Sequence, residues 1–359
     1  MPKRTHELSR RDLMKGAAVA GIGATLLSSE PAQAVSIDSL TARPPDGFEP
    51  LTVPGKVVKV TKGNDFASLM QKNELWPKPE VARQMLERAM TEFTGASNLD
   101  EAMKKFVHKD DVVAIKVNGI AGQKGYTMAA NFELILPTVE AVIAAGVPAG
   151  KITVYEQFPT FLKGCRVTVK GYDLPKGVKT GYHGYTEHPM PEVAIYQGIK
   201  TKYSKFMLEA TCVIALTMIK DHSLAGYTGT LKNITHGNIN NPQDHHAHTA
   251  SPQIAMLYNH PIPKSRVRLQ ITDAFKIMYD KGPLDRDPRT RIPHGAVYVA
   301  TDPVAMDTIG WKVVDEERKK HGLKSLKDSK REPRYIKTAA ELGLGIHDLN
   351  QIRLKSVAI

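Results

Sequence analysis

Asp111-Val112-Val113-Ala114-Ile115-Lys116-Val117-Asn118-Gly119, then an apolar run at 132–145 closed by Gly146, then Lys151-Ile152-Thr153-Val154-Tyr155-Glu156, read in turn as strand, helix and strand. The first run is almost continuously apolar, which suits a strand of a parallel sheet covered on both faces. Two strands joined through a helix call for a right-handed crossover and parallel pairing. In open α/β sheets ligands bind beyond the carboxyl ends of the strands, so Asn118 marks a candidate rim.

The pattern repeats outward. A short first strand is expected at 56–60, and further strands at 211–219, at 266–273 ending in Asp273-Ala274-Phe275, and at 295–300. Behind Trp76-Pro77-Lys78-Pro79, residues Val81, Met85, Leu86, Ala89 and Phe93 recur at helical spacing, with proline setting the start. Other helices are expected at 99–107, at 250–258, and from Pro303 to about 317, the last capped by Thr301 or Asp302. Residues 163–188, rich in Gly, Tyr, Lys and Pro, break the alternation, and His183 and His188 within them default to packing or surface roles. The expected fold is α/β: a doubly wound, mostly parallel sheet with helices on both faces and an irregular Gly/Tyr/His-rich excursion. One domain would span 56–328, preceded by an extended proline-rich arm at 35–55 and followed by a basic, partly helical tail at 329–359. Its rim would collect Asn118, Lys220, His222, Asp273 and Asp302.

Residues 218–249, MIKDHSLAGYTGTLKNITHGNINNPQDHHAHT, carry five of the thirteen histidines. Neutral imidazole is the commonest transition-metal ligand, so His222, His236, His245, His246 and His248, with Asp302, are candidate ligands for zinc, iron or copper. His245, His246 and His248 cannot all face one way: an extended chain aligns His246 with His248, a helix His245 with His248. Lys116, Lys220 and Asp273 are candidate catalytic groups, since buried acids and amines beside histidines can move protons. Asn118, Lys232 and Asn233 are candidate cofactor-binding residues. Together with Gly226 and Gly229 the lysines suit an anion, without the Walker spacing of a nucleotide site.

The N-terminal segment has the layout of a twin-arginine export signal: Ser9-Arg10-Arg11-Asp12-Leu13-Met14-Lys15, a Gly/Ala-rich apolar run at 16–27, and Pro31-Ala32-Gln33-Ala34 before a cleavage point after Ala34. The apolar run is far shorter than the ~20 residues of a membrane span, so no anchor is expected in the mature chain. The expected location is the periplasm, and the expected partner the twin-arginine translocase, which carries folded proteins. A formal charge of +12, to which residues 1–34 contribute five cations against three carboxylates, favours a small anionic substrate or ligand. Without a basic helix or an aromatic nucleic-acid motif, no nucleic-acid partner is expected. Two cysteines, Cys165 and Cys212, fall short of a cysteine-ligated iron–sulfur cluster, and no C-x-x-C-H is present for covalent haem.

Several blocks in order resemble one family, the DUF362 proteins (domain of unknown function 362). They are Ile115-Lys116-Val117-Asn118, Lys220-Asp221-His222, Thr230-Leu231-Lys232-Asn233, Asp273-Ala274-Phe275 with Lys281-Gly282-Pro283, and Ala300-Thr301-Asp302-Pro303-Val304-Ala305-Met306-Asp307. The resemblance spans about 110–322 and implies an α/β fold with a shared polar rim. Some relatives carry ferredoxin-type cysteine modules, which this chain lacks. The leading expectation is a periplasmic metal-binding protein with a His-rich cleft, acting as an oxidoreductase or hydrolase. Its rivals are a non-catalytic protein that binds or delivers a metal or ligand, and a metal-free acid–base enzyme using Lys220, His222 and Asp273.

Overall fold

The computed structural model describes residues 37–63, 65–120, 122, 127–189 and 192–359. The expected export signal, the start of the arm and the His248 side chain lie outside the described residues. Eleven strands are present among the described residues: β1 (Lys56–Thr61), β2 (Val113–Lys116), β3 (Ile152–Glu156), β4 (Lys179–Tyr182), β5 (Val193–Ala194), β6 (Lys200–Thr201), β7 (Cys212–His222), β8 (Gly226–Thr228), β9 (Val267–Met278), β10 (Arg291–Ala300) and β11 (Arg353–Ala358). Nine form one mixed sheet in the order β11-β1-β10-β9-β7-β2-β3-β4, with β8 folded back on β7, while β5 and β6 pair separately. Strands β9, β7, β2, β3 and β4 run parallel, as the strand–helix–strand reading requires.

The pleat sends alternate side chains to opposite faces, and each face has its own core. Val58, Val60, Val113, Ile115, Ile214, Leu216, Leu269 and Ile271 pack against α1 (Pro79–Thr94) and α2 (Phe132–Ala144). Val57, Ala114, Val213, Ala215, Ala274 and Ala296 face α3 (Thr230–Thr235), α4 (Pro303–Lys320) and the helices Gln253–Asn259 and Tyr335–Glu341. Small residues on this second face let those helices approach closely. A buried Arg268–Asp111 pair, with N–O distances of 2.7 and 3.0 Å, ties the amino ends of β9 and β2 together.

Three expectations are revised. Strand β9 continues past Asp273 to Met278, so Asp273 sits within a strand and not at its end. There its carboxylate accepts from the Asn131 backbone N–H (2.7 Å) and Nδ2 (2.8 Å), fixing the start of α2. Strand β10 runs antiparallel to β9, which carries Asp302 to the rim opposite the carboxyl ends of β2, β3 and β7. Asp302 caps α4 through Ala305 N–H (2.8 Å) and also accepts from Gly55 (2.9 Å) and Ile346 (3.0 Å). Finally, part of the expected tail is sheet: β11 pairs parallel with β1. Its Arg353 and Lys355 are exposed, as an edge strand that must resist further pairing tends to be, and so it shows no alternation in sequence.

Candidate active site

Strands β2 and β3 lie side by side, with Lys116 opposite Tyr155, so Lys116 and Glu156 emerge together at the carboxyl rim. They form a buried ion pair of 3.1 Å. Glu156 Oε1 also accepts from Gly119 N–H at 2.9 Å, and Oε2 accepts from Gln157 N–H. Next to β2, strand β7 runs further and places Lys220 and His222 beyond the end of β2, every residue of the strand buried. Between Lys220 and His222, Asp221 is directed into a separate clamp with Arg331 at 2.7 Å. Desolvation pushes the Asp221 pKa up to about 6, against the pull of Arg331.

After the β7–β8 hairpin the chain enters α3, whose first N–H groups, of Thr230 and Leu231, are held by Asp307 of α4 at 2.6 and 3.0 Å. A helix start fixed from outside in this way sets the direction of Lys232 and Asn233. The next turn brings Gly237 against Lys116, where an added Cβ would stand 2.9 Å from Lys116 Cε and would push the amine off its partners. The result is one amide and amine network. Lys220 Nζ donates to Asn118 Oδ1 and to the Met128 carbonyl (3.2 Å). Asn118 Nδ2 donates to Asn233 Oδ1 (3.1 Å), and Lys116 Nζ donates to the same oxygen (3.4 Å) and to the Val117 carbonyl (2.7 Å).

Above the network lies a cleft of about 240 Å³. Lys116, Asn118, Lys232, Asn233, His222, His236 and His246 all line it, so seven of the twelve residues expected from sequence meet there. Lys220 lies beneath, fully buried, and touches the cleft through Asn118. His245, Asp273 and Asp302 do not line it; His245 is tucked under the loop with Nε2 2.6 Å from Thr201 Oγ1. The opposite wall is aromatic, with Phe158 edge-on to both Phe161 and Tyr185 at centroid distances of 5.1 Å. Glu156, Gln157 and this wall were missed from sequence. Glu156 was readable as the end of a strand neighbouring Lys116; Phe158 and Phe161 belong to a helix of six residues, Pro159–Gly164, and its cap, too short to carry a periodic signal, and Tyr185 to an irregular segment.

The lysine of α3 is unlike the other two. Lys232 is buried, pairs with no carboxylate among the described residues, and donates to His246 Nε2 at 3.2 Å. Desolvation, with Lys220 adding repulsion, lowers its pKa to about 7. Lys220 falls less far, to about 8, because Glu156 and Asp285 oppose its burial. An ammonium can only donate, so His246 Nε2 presents its lone pair to Lys232. His246 is held near pKa 4, first by burial and then by Lys232.

The remaining imidazoles are also neutral and also engaged. His222 and His236 lie well below the ordinary value, desolvation being the largest cause and Lys232 the next. His222 Nδ1 accepts from Leu224 and Ala225 N–H, both at 3.1 Å, which leaves its proton on Nε2. His236 Nε2 faces the His245 carbonyl at 3.2 Å, and Nδ1 faces Thr235 Oγ1 at 3.2 Å. The rings are close, 4.7 Å from His236 to His246 and 5.8 Å from His222 to His246. Yet among the described residues no three His, Cys, Asp or Glu side chains are grouped to hold a metal ion. His183 is a support: its Nε2 meets the Gly237 carbonyl at 2.9 Å and keeps that turn against Lys116.

No curated protein matches the chain. Among solved structures, the lactate racemase apoprotein from Thermoanaerobacterium thermosaccharolyticum is similar at 12% identity and a TM-score of 0.37, over 72% of this chain and 57% of that one. The chain therefore spans less than two thirds of that protein's length. A family model described as "Domain of unknown function (DUF362)" matches residues 113–312, the segment that carries β2, β3, β7, α3 and the whole lysine, asparagine and histidine network. With more than half of the chain matched, the protein belongs to the DUF362 family.

Proposed function

We propose that the cleft is the active site of an acid–base enzyme acting on a small anionic substrate, with Lys232 and His246 as the proton-transferring pair. The observation that carries this reading is the 3.2 Å contact between a buried amine without a carboxylate partner and a neutral imidazole, both lining one cleft. A group poised near pH 7 both gives and takes protons at little cost, and an adjacent lone pair supplies the complementary base. The positive charge of Lys116 is compensated by Glu156, while that of Lys232 is free to attract an anion. We also propose export through the twin-arginine pathway to the periplasm, supported by Arg10-Arg11, the short apolar run after them and Ala32-Gln33-Ala34.

The test is solvent-deuterium exchange, read by NMR, into a panel of small carboxylates carrying a proton beside a carbonyl or hydroxyl carbon. Exchange is expected with the wild type, to survive exhaustive chelation, and to fall on the order of a hundredfold in His246→Ala. Carboxylates that bind without exchanging would overturn the enzyme in favour of a binding or delivery protein. Stoichiometric zinc, iron or copper, with exchange lost on chelation, would overturn the metal-free reading.

A further inference from the structure

We propose that Lys232 is a nucleophile that condenses with the ketone of a small 2-oxo acid, whose carboxylate is received by Gln157, Thr228 and Asn233 and whose side chain lies on the Phe158, Phe161 and Tyr185 wall. The inference rests on the acid–base reading of the same cleft and adds the bond formed and the substrate class.

Three independent features converge on it. The first is the amine. Lys116 and Lys220 each donate to two or more oxygens within the protein, whereas Lys232 has one partner among the described residues, an imidazole lone pair that can take its proton. An amine desolvated beside another cation, here Lys220, is the usual setting of an imine-forming lysine, and burial alone already favours its neutral form.

The second is a set of unmet hydrogen bonds. Gln157 Nε2, Asn233 Nδ2 and Thr228 Oγ1 are buried without a partner among the described residues, and all three residues line the cleft. Each unmade bond costs about 1–3 kcal/mol, so the site is built for a ligand that accepts. All three atoms can donate, and an ionised carboxylate offers about four lone-pair positions to such donors. The third is shape. About 240 Å³ equals roughly eight waters at ~30 Å³ each, room for a carboxylate, an adjacent ketone and a side chain as large as a phenyl ring. The edge-on aromatic residues supply a flat apolar surface for that side chain.

The step balances without oxidant or reductant. The Nζ lone pair attacks the ketone carbon while the carbonyl π electrons move to oxygen. The first proton shed by nitrogen passes to His246 Nε2 and from there to the oxygen, giving a neutral carbinolamine. The second nitrogen proton takes the same route to the hydroxyl, which leaves as water as the nitrogen lone pair closes the C=N bond. One ketone and one amine yield one imine and one water.

The full chain is incubated separately with pyruvate and phenylpyruvate in the presence of cyanoborohydride, then analysed by intact mass and peptide mapping. One reduced adduct per chain is expected on Lys232, formed faster with phenylpyruvate, slowed on the order of a hundredfold in His246→Ala, and absent in Lys232→Arg and Lys232→Met. Having two replacements of different charge guards against a variant lost to misfolding, which circular dichroism reports. No adduct, or equal labelling of the Lys232 variants, overturns the proposal. Calorimetric titration with phenylacetate, which has no ketone, separates the two readings. Binding without any adduct would refute the nucleophile and leave the acid–base site standing; neither binding nor adduct would remove both.

Discussion

Replacing Lys232 with methionine is expected to stabilise the protein at neutral pH while abolishing its chemistry. The magnitude follows from burial. An unfolded lysine titrates near 10.5 and the folded one at about 7, so below pH 7 the native state carries an ammonium whose desolvation is only partly repaid. The difference of more than three pH units corresponds to about 5 kcal/mol at 1.36 kcal/mol per unit. The sign is set by proton count: between pH 7 and 10.5 the unfolded chain binds more protons than the native one, so native stability rises with pH across that window. Methionine has nearly the same length and no charge. It removes the cost, forfeits the Lys232–His246 hydrogen bond worth about 1 kcal/mol, and should leave a net gain of about 3–4 kcal/mol at pH 7. Urea denaturation followed by circular dichroism at pH 7 and near pH 10.5 measures it, with the variant's advantage shrinking toward zero at the higher pH. A variant less stable than wild type at pH 7, or an advantage that does not change with pH, would refute the account of Lys232 as an uncompensated buried cation.

Other consequences follow from the same geometry. Adduct formation with phenylpyruvate should rise roughly tenfold per pH unit below about 7 and level off above it, because the neutral amine reacts and His246 stays neutral throughout; a rate flat through pH 7 would contradict this. Gly119→Ala places a Cβ 2.0 Å from the Phe161 carbonyl, so it should displace the aromatic wall and weaken phenylacetate binding more than pyruvate labelling, as calorimetry and mass analysis would report. Asp111→Ala strands the Arg268 guanidinium and should cost about 3–5 kcal/mol in urea unfolding at pH 7, with no effect on the labelling of Lys232 in the folded fraction.

Where local pattern dictates structure, the sequence was legible. The apolar runs of β2, β3 and β7 and the helical spacing of Val81, Met85, Leu86, Ala89 and Phe93 report directly on burial, and the parallel core of the sheet follows from them. The same logic carried Asn118, Lys220 and His222 to a common rim. What it could not supply was strand direction. Nothing in residues 291–300 says that β10 runs against β9, and that single reversal takes Asp302 to the other rim. Nor can a run of apolar residues say where a strand stops, which is why Asp273 was read as a strand end although five more strand residues follow it and its carboxylate holds Asn131. Among the histidines, spacing alone could not separate His246, which meets Lys232, from His245, which meets Thr201; that choice is made by the 3₁₀ turn of Asp244–Ala250, whose geometry arises from long-range packing.

The position of β1 between β10 and β11 bears on how the protein is made. Both of its neighbours are encoded far along the chain, roughly 230 and 290 residues downstream. At ~5–20 residues per second, a ribosome leaves Lys56-Val57-Val58-Lys59-Val60-Thr61 without either partner for roughly 10–60 s. During that interval a short β-prone segment with both edges open is a natural client for a chaperone, and its two lysines serve as gatekeepers against premature self-association. Residues up to Ala358 must be made before this half of the sheet can be assembled in full.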